Sequence, residues 1–188
     1  MKFLIKKIYI ILFLFILLLI DSEVSARDNK IKYSRDNISN YFSGIISTNR
    51  DYNSEAFKYF RKVQSIKKSH SQFNIEFIRT LVLLKKFEQA ISFSKNVWTE
   101  EELLFEADLL LGLNYFLEKD YLEAEKYFNR LNRISKYNLI FDDFIGNILI
   151  AWSKASENKK EESFRYIEKI PKPYYHLKRT QNIFLQCY

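Results

Sequence analysis

Leu111-Gly112-Leu113-Asn114-Tyr115, followed after a polar turn by Asp120-Tyr121-Leu122-Glu123-Ala124-Glu125-Lys126-Tyr127-Phe128-Asn129-Arg130-Leu131, decides how this chain folds. Ala124, Tyr127, Phe128 and Leu131 stand three and four residues apart, which is the apolar stripe of an amphipathic helix. Leu111 and Tyr115 give the preceding segment the same period. The pattern has earlier copies at 34-residue intervals. Ala56, Ala90 and Ala124 are each preceded by Glu55, Gln89 and Glu123, and each is followed three and seven residues on by Tyr59 and Val63, Phe93 and Val97, and Tyr127 and Leu131. Twelve residues before the alanines stand Gly44, Ile78 and Gly112, with Ser47, Leu81 and Tyr115 three further on. A period of this length, built from two helical segments, marks stacked helix pairs.

The best copy resembles the tetratricopeptide repeat. Leu111, Gly112, Tyr115, Ala124, Phe128 and Leu131 fill the places of the family's Leu-Gly pair, its following aromatic, the alanine after the turn, the second aromatic and the last small or apolar residue. The resemblance covers residues 38–170 and implies an all-α fold, an α-α superhelix (solenoid) of antiparallel helix pairs. Gly44, Ala56, Phe60 and Ala90 take matching places in the other copies. Small residues at Gly112 and Ala124 let two helices approach, while Tyr115 and Phe128 fill the space beside that contact. Units are expected at 37–69, 71–99, 105–136 and 141–170. The second is divergent: Ile78 stands for the glycine and Ser94 for the aromatic, so its two helices are expected to splay. In the fourth, Ser163, Ile167 and Ile170 take the stripe positions, and Pro171 and Pro173 end it. Residues 171–188 then form a C-terminal helix, read as a cap, as the start of a further repeat, or as a surface for another subunit.

Residues 1–26 have the grammar of a secretory signal: basic residues 1–7, the apolar run 8–20, then Val24-Ser25-Ala26 with small residues at the cleavage position. The run is shorter than the roughly 20 residues needed to span a bilayer. The second reading adds Phe3 to Ile5 and leaves an uncleaved inner-membrane anchor. Both place the body in the periplasm, after a short linker at 27–36. Together with the repeats, this looks like the exported repeat proteins of Gram-negative bacteria.

The net charge of +7 falls only to +6 once the signal-like segment Met1 to Ala26 is set aside, and Lys and Arg are interspersed with Asp and Glu instead of forming a basic face. That patterning reads as a solvated surface, with no nucleic-acid partner expected. Cys187 is the one cysteine, so no internal disulfide or cysteine-based zinc site is available. His70 and His176 lack metal-ligand spacing, and the chain has no glycine-rich phosphate loop. No catalytic, metal or cofactor residues are therefore assigned, and an enzyme is not expected. The carboxylates Glu100-Glu101-Glu102 and Asp142-Asp143 are read as helix starts, placed by the helix dipole.

What remains is a groove lined by the first helix of each unit. The register of the family's inner face implies Ile38, Tyr41, Phe42 and Ile45 in the first unit, Gln72, Ile75, Glu76 and Arg79 in the second, and Glu106, Leu109, Leu110 and Leu113 in the third. With Arg79 its only cation, this face lacks the basic clamp that some relatives use for a peptide's terminal carboxylate. It suits an apolar peptide or partner helix. The function expected is a non-enzymatic protein-protein interaction scaffold in the periplasm, with a membrane-anchored assembly subunit of an envelope complex as the alternative. Ala124→Leu is expected to overpack the helix crossing and cost about 1 to 3 kcal/mol; thermal unfolding unchanged by it would break the register.

Overall fold

A computed structural model describes residues 34–135 and 144–188. The segment expected to be a signal or anchor, the cleavage position expected after Ala26 and the pair Asp142-Asp143 lie outside the described residues. Among those described, every regular element is helical. The helices are α1 (Arg35–Thr48), α2 (Asn53–Phe60), α3 (Ser71–Leu83), α4 (Phe87–Val97), α5 (Phe105–Leu117), α6 (Tyr121–Ser135), α7 (Phe144–Ser156), α8 (Lys160–Glu168) and α9 (Tyr175–Cys187). Each packs on the next in sequence, and α1 also meets α3 as α3 meets α5.

The turns inside the pairs α1–α2, α3–α4, α5–α6 and α7–α8 are built alike. Asp51, Lys85, Lys119 and Asn158 each adopt positive φ, between 58° and 63°. One residue later, the amides of Tyr52, Lys86, Asp120 and Lys159 donate to the carbonyls of Ser47, Leu81, Tyr115 and Lys154 at 2.8 to 2.9 Å. This is the Schellman arrangement, which satisfies carbonyls that a helix end leaves bare. The first three turns recur at one constant interval, from Asp51 to Lys85 to Lys119, and the fourth, at Asn158, comes after a longer one.

Counting from the turns aligns the contacts within the pairs. Seven residues before each left-handed residue stand Gly44, Ile78, Gly112 and Ala151; nine after stand Phe60, Ser94, Phe128 and Ile167. All eight are buried. A Cβ on Gly44 would collide with the Phe60 ring, and one on Gly112 with the Phe128 ring. Where the first helix carries Ile78, the second carries the small Ser94, an exchange that keeps volume while reversing sides. The backbones of α3 and α4 run close over a shorter stretch than those of the glycine-containing pairs. Gly146 stands as far after Gly112 as Gly112 stands after Ile78, but it does a different job: a Cβ there would collide with the Asn132 side chain and the Phe128 carbonyl, between α6 and α7.

Ala56, Ala90 and Ala124 have no exposed surface, and Leu111 and Leu131 are buried beside them. Tyr115 is half-buried and stacks on Tyr127 at 5.5 Å. Val63, expected on the stripe of a helix, lies beyond the end of α2; the chain turns at Arg61 and Lys62, and Val63 is buried from that turn. α8 stops at Glu168, short of Ile170, because Pro171 denies the next turn its amide donor. α9 lies against α8 and α7, with Leu185 buried and Trp152 donating its indole N–H to Gln181 at 2.9 Å.

A buried ion pair ties the third pair to the loop before it. Arg130 on α6 donates from Nε to Asp108 Oδ1 on α5 at 2.8 Å, and its other nitrogens bond the carbonyls of Thr99, Glu100 and Glu102 at 2.6 to 3.0 Å. Trp98 donates its indole N–H to the same Asp108 oxygen at 2.8 Å, and the guanidinium lies 4.8 Å from the Trp98 ring centre. Burial pushes the Asp108 carboxyl above the usual range, opposed by the hydrogen bonds from Trp98 and Arg130. The expectation that Glu100-Glu101-Glu102 open a helix is corrected here. They sit in the loop ahead of Phe105, where two of their backbone carbonyls are bound by Arg130.

Two outcomes follow for stability. Gly112→Ala gains up to about 1 kcal/mol of helix propensity yet should be net destabilising, and adding Phe128→Leu should cost less than the two single changes summed, as measured in a double-mutant cycle by denaturant unfolding. Arg130→Met should destabilise by about 3 to 5 kcal/mol, because Asp108 is then buried without its counter-charge; a loss below about 1 kcal/mol would show that the clamp is dispensable.

Candidate interaction groove

The twelve residues assigned to the groove come from α1, α3 and α5, which are neighbours in space. They divide by chemistry into an apolar end and a polar centre.

The apolar end is on α1. Ile38 and Phe42 are 44% and 58% exposed, more than large apolar side chains in a core would be, while Tyr41 and Ile45 are half-buried. Ile38, Tyr41 and Phe42 line a small cavity of about 150 Å³ together with Asn37, Ile66 and His70. The Tyr41 ring lies 4.7 Å from the imidazole of His70 and 5.5 Å from Phe42. His70 is more than a surface residue: its Nδ1 accepts the Phe73 amide at 3.1 Å and so caps α3. Ile66 and His70 fall between the helical stripes, where periodicity gives no warning of them. The only cue is His70 standing immediately ahead of the apolar run of α3.

The polar centre is a connected set. Gln72 donates to Glu76 at 2.9 Å, Arg79 lies 3.4 Å from the same carboxylate, and Arg79 Nε donates to Glu106 on α5 at 2.9 Å. The carboxylates are largely covered, while the Arg79 side chain remains 54% exposed. Arg79 thus bridges α3 and α5 with its charge already balanced by two carboxylates, which leaves it little capacity to hold an incoming one. The third part of the groove is mixed. Leu109 packs against the cluster of Ala124, Phe128, Leu131, Ile134 and Ile150, Leu110 is half-buried, and Leu113 is exposed. Ile75 is half-buried on α3. Among the groove residues, exposed apolar surface is therefore greatest at Ile38 and Phe42 on α1, followed by Leu113 on α5.

Comparison with protein families, with curated proteins and with solved structures finds no match to this chain. Among the described residues no helix is long and apolar enough to cross a membrane, and Cys187 is free and exposed.

Burial raises the Tyr41 phenol above its ordinary 10.0, and the charge of Glu76 adds to the effect. The fold thus prefers the neutral phenol, so this contribution to stability is intact below pH 10 and is lost as pH rises through the raised value. Glu76→Gln should move the Tyr41 titration back toward its ordinary value, read by ultraviolet difference absorbance against Tyr41→Phe; an unmoved titration would separate Tyr41 from the polar centre.

Proposed function

We propose that this chain is a non-enzymatic interaction scaffold of the tetratricopeptide-repeat type, an α-α solenoid with a 34-residue period whose first helices form a groove for an apolar peptide or partner helix. The observation that carries the reading is the recurrence of one turn at Asp51, Lys85 and Lys119, evenly spaced along the chain, each with the same left-handed residue and the same backbone hydrogen bonds. Equivalent turns place equivalent helix pairs at a constant repeat, and stacking such pairs aligns their first helices along one face. The contacts of α1 with α3 and of α3 with α5 support that alignment. The exposed Ile38, Phe42 and Leu113 give the face apolar anchor points, while the neutralised Arg79 argues against a terminal-carboxylate clamp.

Compartment follows from the N-terminal segment. The basic residues, the apolar run and Val24-Ser25-Ala26 support export with cleavage after Ala26 and a periplasmic scaffold. Retention of residues 3–20 as an inner-membrane anchor makes the same body an assembly subunit of an envelope complex.

Expression of the full chain in a Gram-negative host, with sequencing of the product's N-terminus and fractionation, separates the two. Arg27 as the first residue in soluble periplasm is expected; Met1 in the membrane fraction selects the anchored subunit, and Met1 in the cytoplasm would overturn export. For the groove, Phe42→Asp combined with Leu113→Asp should abolish co-purification of whatever periplasmic protein the wild type retains, with thermal unfolding unchanged. Equal retention by the variant would overturn the groove.

A further inference from the structure

The second helices bear a cleft that the groove does not use. It lies between α2, the 3-10 turn Gln64–Ile66, α3 and α4, and opens to solvent with a volume of about 540 Å³. Its floor is aromatic: Phe57 stacks on Phe77 at 6.1 Å, and Phe77 meets Phe93 edge-on at 4.8 Å. Its rim is basic. Arg61, Lys67 and Lys86 line it, against the single carboxylate of Glu88. Among the described residues none of the three cations forms an ion pair. Arg61 and Lys86 instead direct their charges at the Phe57 ring, 5.4 and 5.2 Å from its centre. Lys67 and Lys86 are half-buried, so their stems lie along the protein surface while their ammonium groups lack a paired carboxylate. For Arg61 and Lys86 the ring face supplies a cation-π contact, but not the charge-assisted hydrogen bonds that a carboxylate would add.

An anion entering the cleft would supply what these side chains lack. Gln64, Gln89 and Asn96 at the lip offer amide donors and acceptors of the kind that bond a peptide backbone. A nucleic acid would need a continuous basic track, whereas here three cations are gathered in one recess with Glu88 beside them. The recess sits at the α3–α4 pair, whose backbones keep close company over a shorter stretch than those of the glycine-containing pairs.

We propose that this cleft binds an acidic linear peptide segment, its Asp or Glu carboxylates on Arg61, Lys67 and Lys86 and a neighbouring apolar side chain on the Phe57 ring that the cations then vacate. The site is on the side of the second helices, and its occupancy depends neither on export nor on the first-helix groove.

The test is fluorescence polarisation of the purified protein with a labelled synthetic peptide alternating Glu with Leu, against the same peptide with Gln for every Glu. The acidic peptide should bind at least tenfold more tightly and weaken as salt rises. Lys67→Gln with Lys86→Gln should lose tenfold or more while thermal unfolding stays in place, and Arg61→Gln, at an exposed position, gives a second variant that leaves the core untouched. Equal binding of the two peptides, or full affinity in both variants, would overturn the proposal. So would a single-stranded oligonucleotide of equal charge that binds more tightly than the peptide.

Discussion

The distance between two helix backbones is set by the side chains at their crossing, and in the first and third pairs of this protein a glycine-against-phenylalanine contact fixes it. Gly44 receives the Phe60 ring and Gly112 the Phe128 ring, with no room for even a methyl group. The second pair inverts the arrangement with Ile78 and Ser94, and the fourth softens it to Ala151 and Ile167. In all four pairs both of these positions are buried. The aromatic-floored cleft lies at the second pair, the one in which the bulk stands on the first helix. The variation among copies that weakens the sequence pattern is thus also what differentiates the surfaces they present.

Much of the helical order is readable from the chain because burial and periodicity coincide: the alanines, Leu111 and Leu131 sit where the 3.6-residue period puts them. The turns are less legible, since Asp51, Lys85, Lys119 and Asn158 share a backbone conformation without sharing a side-chain type. Gly146 lies as far after Gly112 as Gly112 after Ile78, but the fourth pair has five more residues between that point and its turn, and Ala151 takes the place seven residues before the turn, in keeping with the stripe read at Ser163 and Ile167. The clamp of Arg130 is illegible in the sequence. Its partners Asp108, Trp98 and the carbonyls before Phe105 are remote along the chain, and an arginine on an amphipathic helix reads as solvated. In the groove the residue types are visible, but the neutralisation of Arg79 by Glu76 and Glu106 depends on how α3 and α5 meet.

Polar fasteners complement the apolar contacts where successive pairs join. Arg130 bonds three carbonyls of the connection between α4 and α5. Lys154 on α7 reaches Glu125 on α6 at 2.6 Å, with Glu157 at 3.6 Å. Burial alone would lower the Lys154 ammonium, but the hydrogen bond and charge of Glu125, with Glu157 and Glu162, raise it instead. An unpaired charge in these places is strongly disfavoured, which favours the exclusion of alternative alignments of one helix on another. A surface assembled from three separate first helices depends on that exclusion, because a shift of one turn would scatter its residues.

Glycine is scarce here, and all three copies lie inside helices; none occupies a left-handed turn, where chains most often place it. Asp51 and Asn158 tolerate that conformation through their short polar side chains, but Lys85 and Lys119 hold it against their own Cβ, at about 1 to 2 kcal/mol each. The chain therefore carries an untapped thermal reserve at two solvent-facing positions that touch neither the aromatic cores nor the ionic clamp. Evolution or engineering can draw on it one residue at a time, and relief of the strained lysines gives the protein room to absorb damage elsewhere before the helix pairs come apart.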